Sequence, residues 1–286
     1  MHNELSAAIR AVLLAGAEIL DVYQREIQVT NKADLSPLTE ADTRGHDAIM
    51  RELTVATPDI PVLSEEGATI PYTTRKLWTR YWLVDPLDGT KEFIKRNEEF
   101  TVNIALMDSA PGAAATPTAG VVYVPATQTL YVGHREVGAW RLQGQTAATA
   151  TSFQEVMAQG DTLPTTQDRN HRPYTIVASR SHMSSATEQF VQTRRDTHPD
   201  LNLVTAGSSI KICRVAEGSA DEYPRFAPTM EWDTAAGDAV ARATGCRVFQ
   251  WDKDNNTPTG VLRYNKADLH NPWFLVQRTA ETNKGT

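Results

Sequence analysis

Residues 81–93 read YWLVDPLDGTKEF. The apolar run Tyr81 to Val84 has the length and composition of a buried strand. Two aspartates follow, Asp85 and Asp88, flanking Pro86 and Leu87. A turn built on that proline can point both carboxylates the same way, and Gly89 lets the backbone approach a ligand closely. Thr90 then opens a short helix over 90–94, whose first N–H groups are free and suit a phosphate. In isolation the same six residues, 85–90, read more plainly as an Asx turn that caps a helix. Strand, acidic turn and helix in succession make a mixed αβ unit, and the acidic turn recurs elsewhere in the chain.

Ser64-Glu65-Glu66-Gly67 follows a short strand at 61–63; alone, it is a charged, solvated loop. In Glu231-Trp232-Asp233-Thr234-Ala235-Ala236-Gly237-Asp238, Asp233 stands where the N-cap of a small-residue helix belongs. Residues 234–237 are small enough to admit a ligand or another backbone. In Leu38-Thr39-Glu40-Ala41-Asp42 the local reading is a capping box. Four element ends thus each present an acid beside Ser, Thr or Gly. Hard oxygen ligands of this kind suit Mg²⁺. Carboxylates beside a phosphate-cradling helix start repel without metal; with two metals they become a clamp that activates water. The pattern points to metal-assisted hydrolysis of a phosphate ester.

Around these places the chain alternates between helical and strand periods. Leu5, Ile9, Val12, Leu13, Ile19, Leu20 and Tyr23 predict an amphipathic helix over 4–24, and Ile49, Met50 and Leu53 a second over 39–54. Strand-like runs at 61–63, 81–84, 100–106, 119–124, 129–132 and 137–142, with turn signals between them, predict an antiparallel sheet. Residues 109–118 (SAPGAAATPT) read as a surface turn, and 159–173 as the connection between two halves. Beyond it come strands at 174–178, 202–205, 220–223 and 247–249 and helices at 184–197, 209–217 and 234–243. The expected fold class is α/β (α+β), with mixed αβ halves over 1–158 and 159–286.

The chain has 286 residues, 41% of them hydrophobic, enough for a sizeable core. Its 28 basic and 35 acidic residues give a net charge of −7, which argues against a nucleic-acid polymer as partner. A small phosphorylated ligand must then be met by local positive charge. Cys213 and Cys246 form no CxxC pair, which argues against a disulfide framework or structural zinc and fits a reducing cytoplasm. The apolar stretch Ala11 to Ala17 is far short of the ~20 residues that span a bilayer, and reads as part of an ordinary helix.

The run WLVDPLDGTKEF at 82–93, with SEE upstream and WDTAAGDA downstream, resembles the inositol monophosphatase superfamily of Mg²⁺-dependent, lithium-sensitive phosphatases. The resemblance extends from the first helix through residue 250 and implies an inositol-monophosphatase-like layered αβαβα sandwich. Within the superfamily, NKADLSPLTEAD (31–42), ASRSH (178–182), GSSIKICRVAEG (207–218) and ADEYPRFAPTMEWD (220–233) resemble the 3′(2′),5′-bisphosphate nucleotidases of the bacterial CysQ type. That type removes the 3′-phosphate of adenosine 3′,5′-bisphosphate, a by-product of sulfate assimilation, and leaves AMP and phosphate.

The resemblance implies that Glu65, Asp85 and the Leu87 carbonyl hold one Mg²⁺, that Asp85, Asp88 and Asp233 hold a second, and that a third, weaker ion sits near Glu65. It implies Thr90 and Asp42 as the water-activating pair, the carboxylate accepting from the hydroxyl. Glu65, Leu87, Asp88, Gly89, Thr90 and Asp233 would surround the scissile phosphate, and Ser179 and His182 would lie against the base. Gly207, Ser208 and Lys211 would approach the second phosphate, and Arg225 would face a phosphate. Lys211 and Arg225 are the local positive charge that the overall −7 demands. The expected partner is a small nucleotide bisphosphate. The expected location is the cytoplasm, with peripheral contact at the inner membrane face, and with monomer or homodimer, left open. Two other readings stand beside this one. An inositol or sugar monophosphatase of the same fold needs no base platform or second phosphate site. A noncatalytic nucleotide sensor would have lost a metal ligand, whereas Glu65, Asp85, Asp88, Asp233, Thr90 and Asp42 are all present.

Overall fold

The computed structural model describes residues 2–25, 40–110, 113–165, 172–180 and 183–279. Two helices come first, α1 (His2–Tyr23) and α2 (Glu40–Ala56). A seven-stranded sheet follows in plain meander order: β1 (Val62–Ser64), β2 (Arg80–Asp88), β3 (Thr101–Asp108), β4 (Thr116–Val124), β5 (Thr129–His134), β6 (Gly138–Gln143) and β7 (Asp161–Thr162). The expected antiparallel sheet is there, except that β1 joins β2 in parallel. The second sheet holds β8 (Thr175–Ser179), β9 (Asn202–Ala206), β10 (Glu222–Arg225), β11 (Arg247–Asp252), β12 (Thr257–Val261) and β13 (Phe274–Gln277). Its spatial order is β12-β11-β13-β10-β8-β9, with parallel and antiparallel pairs mixed.

Alternation along the strands sets the layers. On β2, Trp82 and Val84 pack with Leu5, Ile9, Ile49 and Leu53 of α1 and α2. Tyr81 and Leu83 point the other way, into a core with Ile212 and Val215 of α8 (Ile210–Glu217) and Ala236 and Val240 of α9 (Ala235–Ala243). The second sheet closes that core with Val177 and Val276, while Ile176 and Leu275 face outward to Phe190 and Val191 of α7 (Ser185–Thr197). The result is five layers, αβαβα. Apart from the edge strands β7, β9 and β12, both sheets are covered on both faces, which is why most strands read as nearly continuous apolar runs.

Helix α9 lies against the first sheet at backbone distance. A Cβ at Gly120 of β4 would sit 2.3 Å from the Ala236 carbonyl oxygen, and one at Gly133 of β5 would sit 2.6 Å from Val240 Cα. The small residues 234–237 therefore admit a backbone, that of the sheet. Since α9 follows directly on Asp233, this contact also sets where that carboxylate stands. Gly120→Ala must push the helix off the sheet, and overpacking of this kind costs about 1–3 kcal/mol. The expected result is a lower melting temperature together with reduced activity; unchanged thermal unfolding would show that α9 is free to move.

Several expectations need correction. Residues 159–173 are not simply a connection: β7 pairs with β6 through Trp140–Thr162 and Arg141–Asp161, so the chain leaves the first sheet only after Thr162. Nor is 109–118 only a surface turn, since Thr116 begins β4 and buried Ala115 bridges the Tyr264 backbone. Strands β12 and β13 were not foreseen. Thr39 lies outside the described residues, as does the rest of 31–39. Among the described residues no helix is long and apolar enough to cross a membrane.

Candidate active site

The site grows from an irregularity in β2. Asp85 pairs with Asn103 and Asp88 with Thr101, so three residues on β2 span two on β3. One extra residue makes a bulge. In a regular strand, residues three apart face opposite ways; the bulge at Pro86-Leu87 brings both aspartates to one side. Pro86, with no N–H to give, suits the break in the ladder. Asp85 is buried, its Oδ1 accepting from the Leu87 N–H at 3.1 Å. Its Oδ2 is buried and has no partner. After the bulge Gly89 turns left-handed, with φ 92°, and α4 (Thr90–Ile94) begins. The Thr90 hydroxyl makes a long 3.5 Å contact with the Leu87 carbonyl oxygen.

Two other element ends converge on this bulge. Glu65 follows β1 and its N–H donates to the Val84 carbonyl, which ties the acidic loop to β2. Asp233 precedes α9. Thr234, not Asp233, holds the cap position, and the Asp233 carboxylate instead accepts from the Met230 N–H at 2.9 Å. Carboxylate oxygens of Glu65, Asp85 and Asp233 lie within 4.8 Å of one another. Asp42, in the first turn of α2, is buried and close enough to act on the charge of Glu65 and Asp85. Glu65 is exposed to solvent overall, but desolvation of its carboxylate and then repulsion from Asp233 and Asp88 push it up to about 8. Asp233 is pushed up to about 7 by burial and Asp88, and Asp85 well above the carboxylate range by burial and its neighbours.

Hard oxygen donors held together against their own repulsion, one of them a buried orphan, fit a divalent cation. A pH dependence follows. The unfolded chain releases these protons near pH 4–5, whereas the folded chain holds those of Glu65 and Asp233 to about 8 and 7. The folded state thus binds more protons between those limits, and stability falls as pH rises through that window. The melting temperature of metal-free protein is expected to drop from pH 5 to pH 8, and the rise produced by Mg²⁺ to be larger at pH 8. Equal Mg²⁺ shifts at both pH values would contradict this account of the cluster.

Beside the carboxylates opens a cavity of about 460 Å³. Its lining includes Asp88, Gly89, Thr90 and Asp233, together with Ser179, Ser208, Ser209, Lys211, Tyr223 and Arg225. Lys211 is buried at the start of α8, where its Nζ donates to the Ser208 carbonyl at 2.6 Å and lies 5.5 Å from the Tyr223 ring centre. Burial pushes it down to about 8, opposed by nearby Asp88. Arg225 ends β10 and donates to the Pro228 carbonyl, but its Nε is buried without a partner. Ser208 sits at φ 41° with its hydroxyl buried and unpartnered.

Among the residues expected at the substrate, Glu65, Leu87 and Gly207 are not in the cavity lining. Gly207 packs closely against another segment: its N–H donates to Glu99 Oε2 at 2.9 Å, and a Cβ would meet the Glu99 carbonyl oxygen at 2.6 Å. Leu87 buries its side chain in the first core, leaving only backbone for the site. His182 lies outside the described residues. Two residues went unread in the sequence. Ser209 donates to the Asp233 carbonyl at 2.7 Å and to Asp88 Oδ2 at 3.3 Å, joining α8 to the acidic side. Glu231, fully buried, accepts from the N–H groups of Asn265 and Lys266. The first was hidden in GSSIK and the second in EWD, where both look like ordinary polar neighbours.

Comparison with known proteins places the chain in a family. Residues 1–282 match the inositol monophosphatase family. A protein of Escherichia coli O6:H1 named 3′(2′),5′-bisphosphate nucleotidase CysQ is 45% identical over 239 residues, covering 83% of this chain and 86% of that one. The crystal structure of CysQ from Bacteroides thetaiotaomicron aligns with a TM-score of 0.82 and 46% identity, over 96% of this chain and 97% of that one. The structure of an inositol monophosphatase from Anabaena, 20% identical, aligns at 0.65 over 96% and 89% and shares the fold.

Proposed function

We propose that this chain, which belongs to the inositol monophosphatase family, is a Mg²⁺-dependent phosphatase that converts adenosine 3′,5′-bisphosphate to AMP and phosphate. One observation carries the reading: the same cavity is lined by the carboxylates Asp88 and Asp233 and by Lys211 and Arg225. The name of the E. coli relative, a 3′(2′),5′-bisphosphate nucleotidase, supports a substrate of this class. In this reading Glu65, Asp85 and the Leu87 carbonyl would hold one Mg²⁺, Asp85, Asp88 and Asp233 would hold a second, and Glu65 would help to hold a third. When bound, such ions lower the pKa of water and offset phosphate charge.

The chain's own groups do the positioning. N–H groups of Gly89 and Thr90, at the start of α4, hold the scissile phosphate oxygens. The 3.5 Å contact leaves the Thr90 hydroxyl weakly held, so it can turn to donate to Asp42 and accept a hydrogen bond from the attacking water. Lys211, Ser208 and Arg225 take the other phosphate, and Ser179 and His182 the base. Residues 1–158 then supply most of the hydrolytic machinery and 159–286 the nucleotide contacts, with Asp233 crossing between them. Two free, buried cysteines fit a cytoplasmic setting.

The rival of the same fold would use the basic wall for nothing. Phosphate release from adenosine 3′,5′-bisphosphate and from inositol 1-phosphate, measured side by side with Mg²⁺, separates the two. The account expects strong preference for the nucleotide; preference for inositol 1-phosphate would overturn it.

A further inference from the structure

Arg75 ends the short helix α3 (Tyr72–Arg75) and is almost completely buried, at 2% exposure. A guanidinium so placed is costly unless its donors are met. Nη1 donates to Asn265 Oδ1 at 2.8 Å and Nη2 to the Ala267 carbonyl at 2.9 Å, whereas Nε is buried without a partner; the Asn265 amide donates back to the Arg75 carbonyl at 2.9 Å. Asn265 holds φ at 60°, a conformation that Asn tolerates better than most residues. Its own N–H donates to Glu231 Oε2 at 2.6 Å, and the Lys266 N–H to Oε1 at 3.0 Å.

The segment therefore joins two loops that are far apart in sequence. On one side, Arg75 ends the stretch that begins at Glu65. On the other, Glu231 lies two residues before Asp233. The same segment is fixed elsewhere: Tyr264 donates to Asp238 at 2.8 Å and Asn271 to the Met230 carbonyl at 2.7 Å. Nothing in this network lines the cavity.

We infer that Asn265 is a positioning residue that straps the Glu65 loop to the Asp233 loop and so holds the two carboxylates at cation-binding separation. The inference rests on the metal-dependent reading above, but not on the identity of the substrate. Without the strap, the ion itself must supply more of the ordering of the two loops, and the cost appears as weaker ion binding.

The test is Mg²⁺ binding to the full chain without substrate, by calorimetry and by Mg²⁺-induced thermal shift. Asn265→Gly keeps the backbone conformation and removes the amide, and Arg75→Met removes the guanidinium at similar volume. Each is expected to raise the Mg²⁺ concentration for half-saturation roughly tenfold. In assays, kcat at saturating Mg²⁺ should fall less than threefold and KM for the nucleotide should hold, a split that general destabilisation does not produce. Should one variant fail to fold, the other carries the comparison. A folded variant with wild-type Mg²⁺ affinity overturns the strap, and so does wild-type protein that binds no Mg²⁺. Normal Mg²⁺ binding with the predicted loss in the variants, but no turnover of the bisphosphate, supports the strap and overturns only the substrate assignment.

Discussion

Asp85→Asn is expected to abolish turnover and, at the same time, to raise the melting temperature of the metal-free protein. The two effects share a cause. Asp85 is buried in β2 with one carboxylate oxygen unpartnered, and burial together with Glu65, Asp88 and Asp233 disfavours its charge. Asparagine is nearly the same size and cannot ionise, so the cost of burying an ionisable acid among other carboxylates is removed. Each kcal/mol relieved is worth roughly 2–4 °C in a chain of this size. The same change removes the carboxylate shared by both proposed Mg²⁺ positions. Metal assistance supplies several kcal/mol of transition-state stabilisation, so kcat/KM should fall by roughly three orders of magnitude or more. Asp88→Asn should also lose nearly all activity while remaining folded. Phosphate-release assays and thermal scans on the same preparations check both. Near-normal activity in either variant would undercut the metal assignment.

Lys211→Met should change which substrate is preferred. The lysine is buried at the cavity wall, its position fixed by Ser208 and the Tyr223 ring. A hydrogen bond to a charged group is worth about 1.5–3 kcal/mol, or roughly 10–100-fold. KM for adenosine 3′,5′-bisphosphate is therefore expected to rise by that factor. Adenosine 3′-monophosphate, which lacks the second phosphate, should be hydrolysed about as well by the variant as by the wild type. The ratio of kcat/KM for the two substrates is the quantity to measure. Equal losses on both would mean that Lys211 serves Asp88 and the acidic wall rather than the second phosphate.

What could be read from the sequence divides along physical lines. Strands buried on both faces give dense apolar runs, so β2 to β6 were found and their boundaries slipped by a few residues only. The acidic turn 85–90 was legible because proline, glycine and paired aspartates are local signals. Its bulge was not, since a bulge is a relation between two strands. Asp233 was assigned to the site by resemblance, but its local reading as an N-cap failed: α9 starts one residue later, and the carboxylate turns to Met230. GSSIK places Gly207 at the ligand by resemblance alone, and its close approach to Glu99 is a packing relation that no local signal carries. Bonds such as Arg75 to Asn265 join residues 190 positions apart and leave no period for a sequence reading to find. The four-residue strand β13 is too short to show alternation, although it sits in the middle of the second sheet.

The measurement that bears most directly on the central claim is a crystal structure with adenosine 3′,5′-bisphosphate bound, Ca²⁺ replacing Mg²⁺ to slow turnover. The account predicts cations among Glu65, Asp85 and Asp233, the 3′-phosphate beside Gly89 and Thr90, and the other phosphate between Lys211 and Arg225. A nucleotide bound outside this cavity, or one with no phosphate at Lys211 and Arg225, would contradict it.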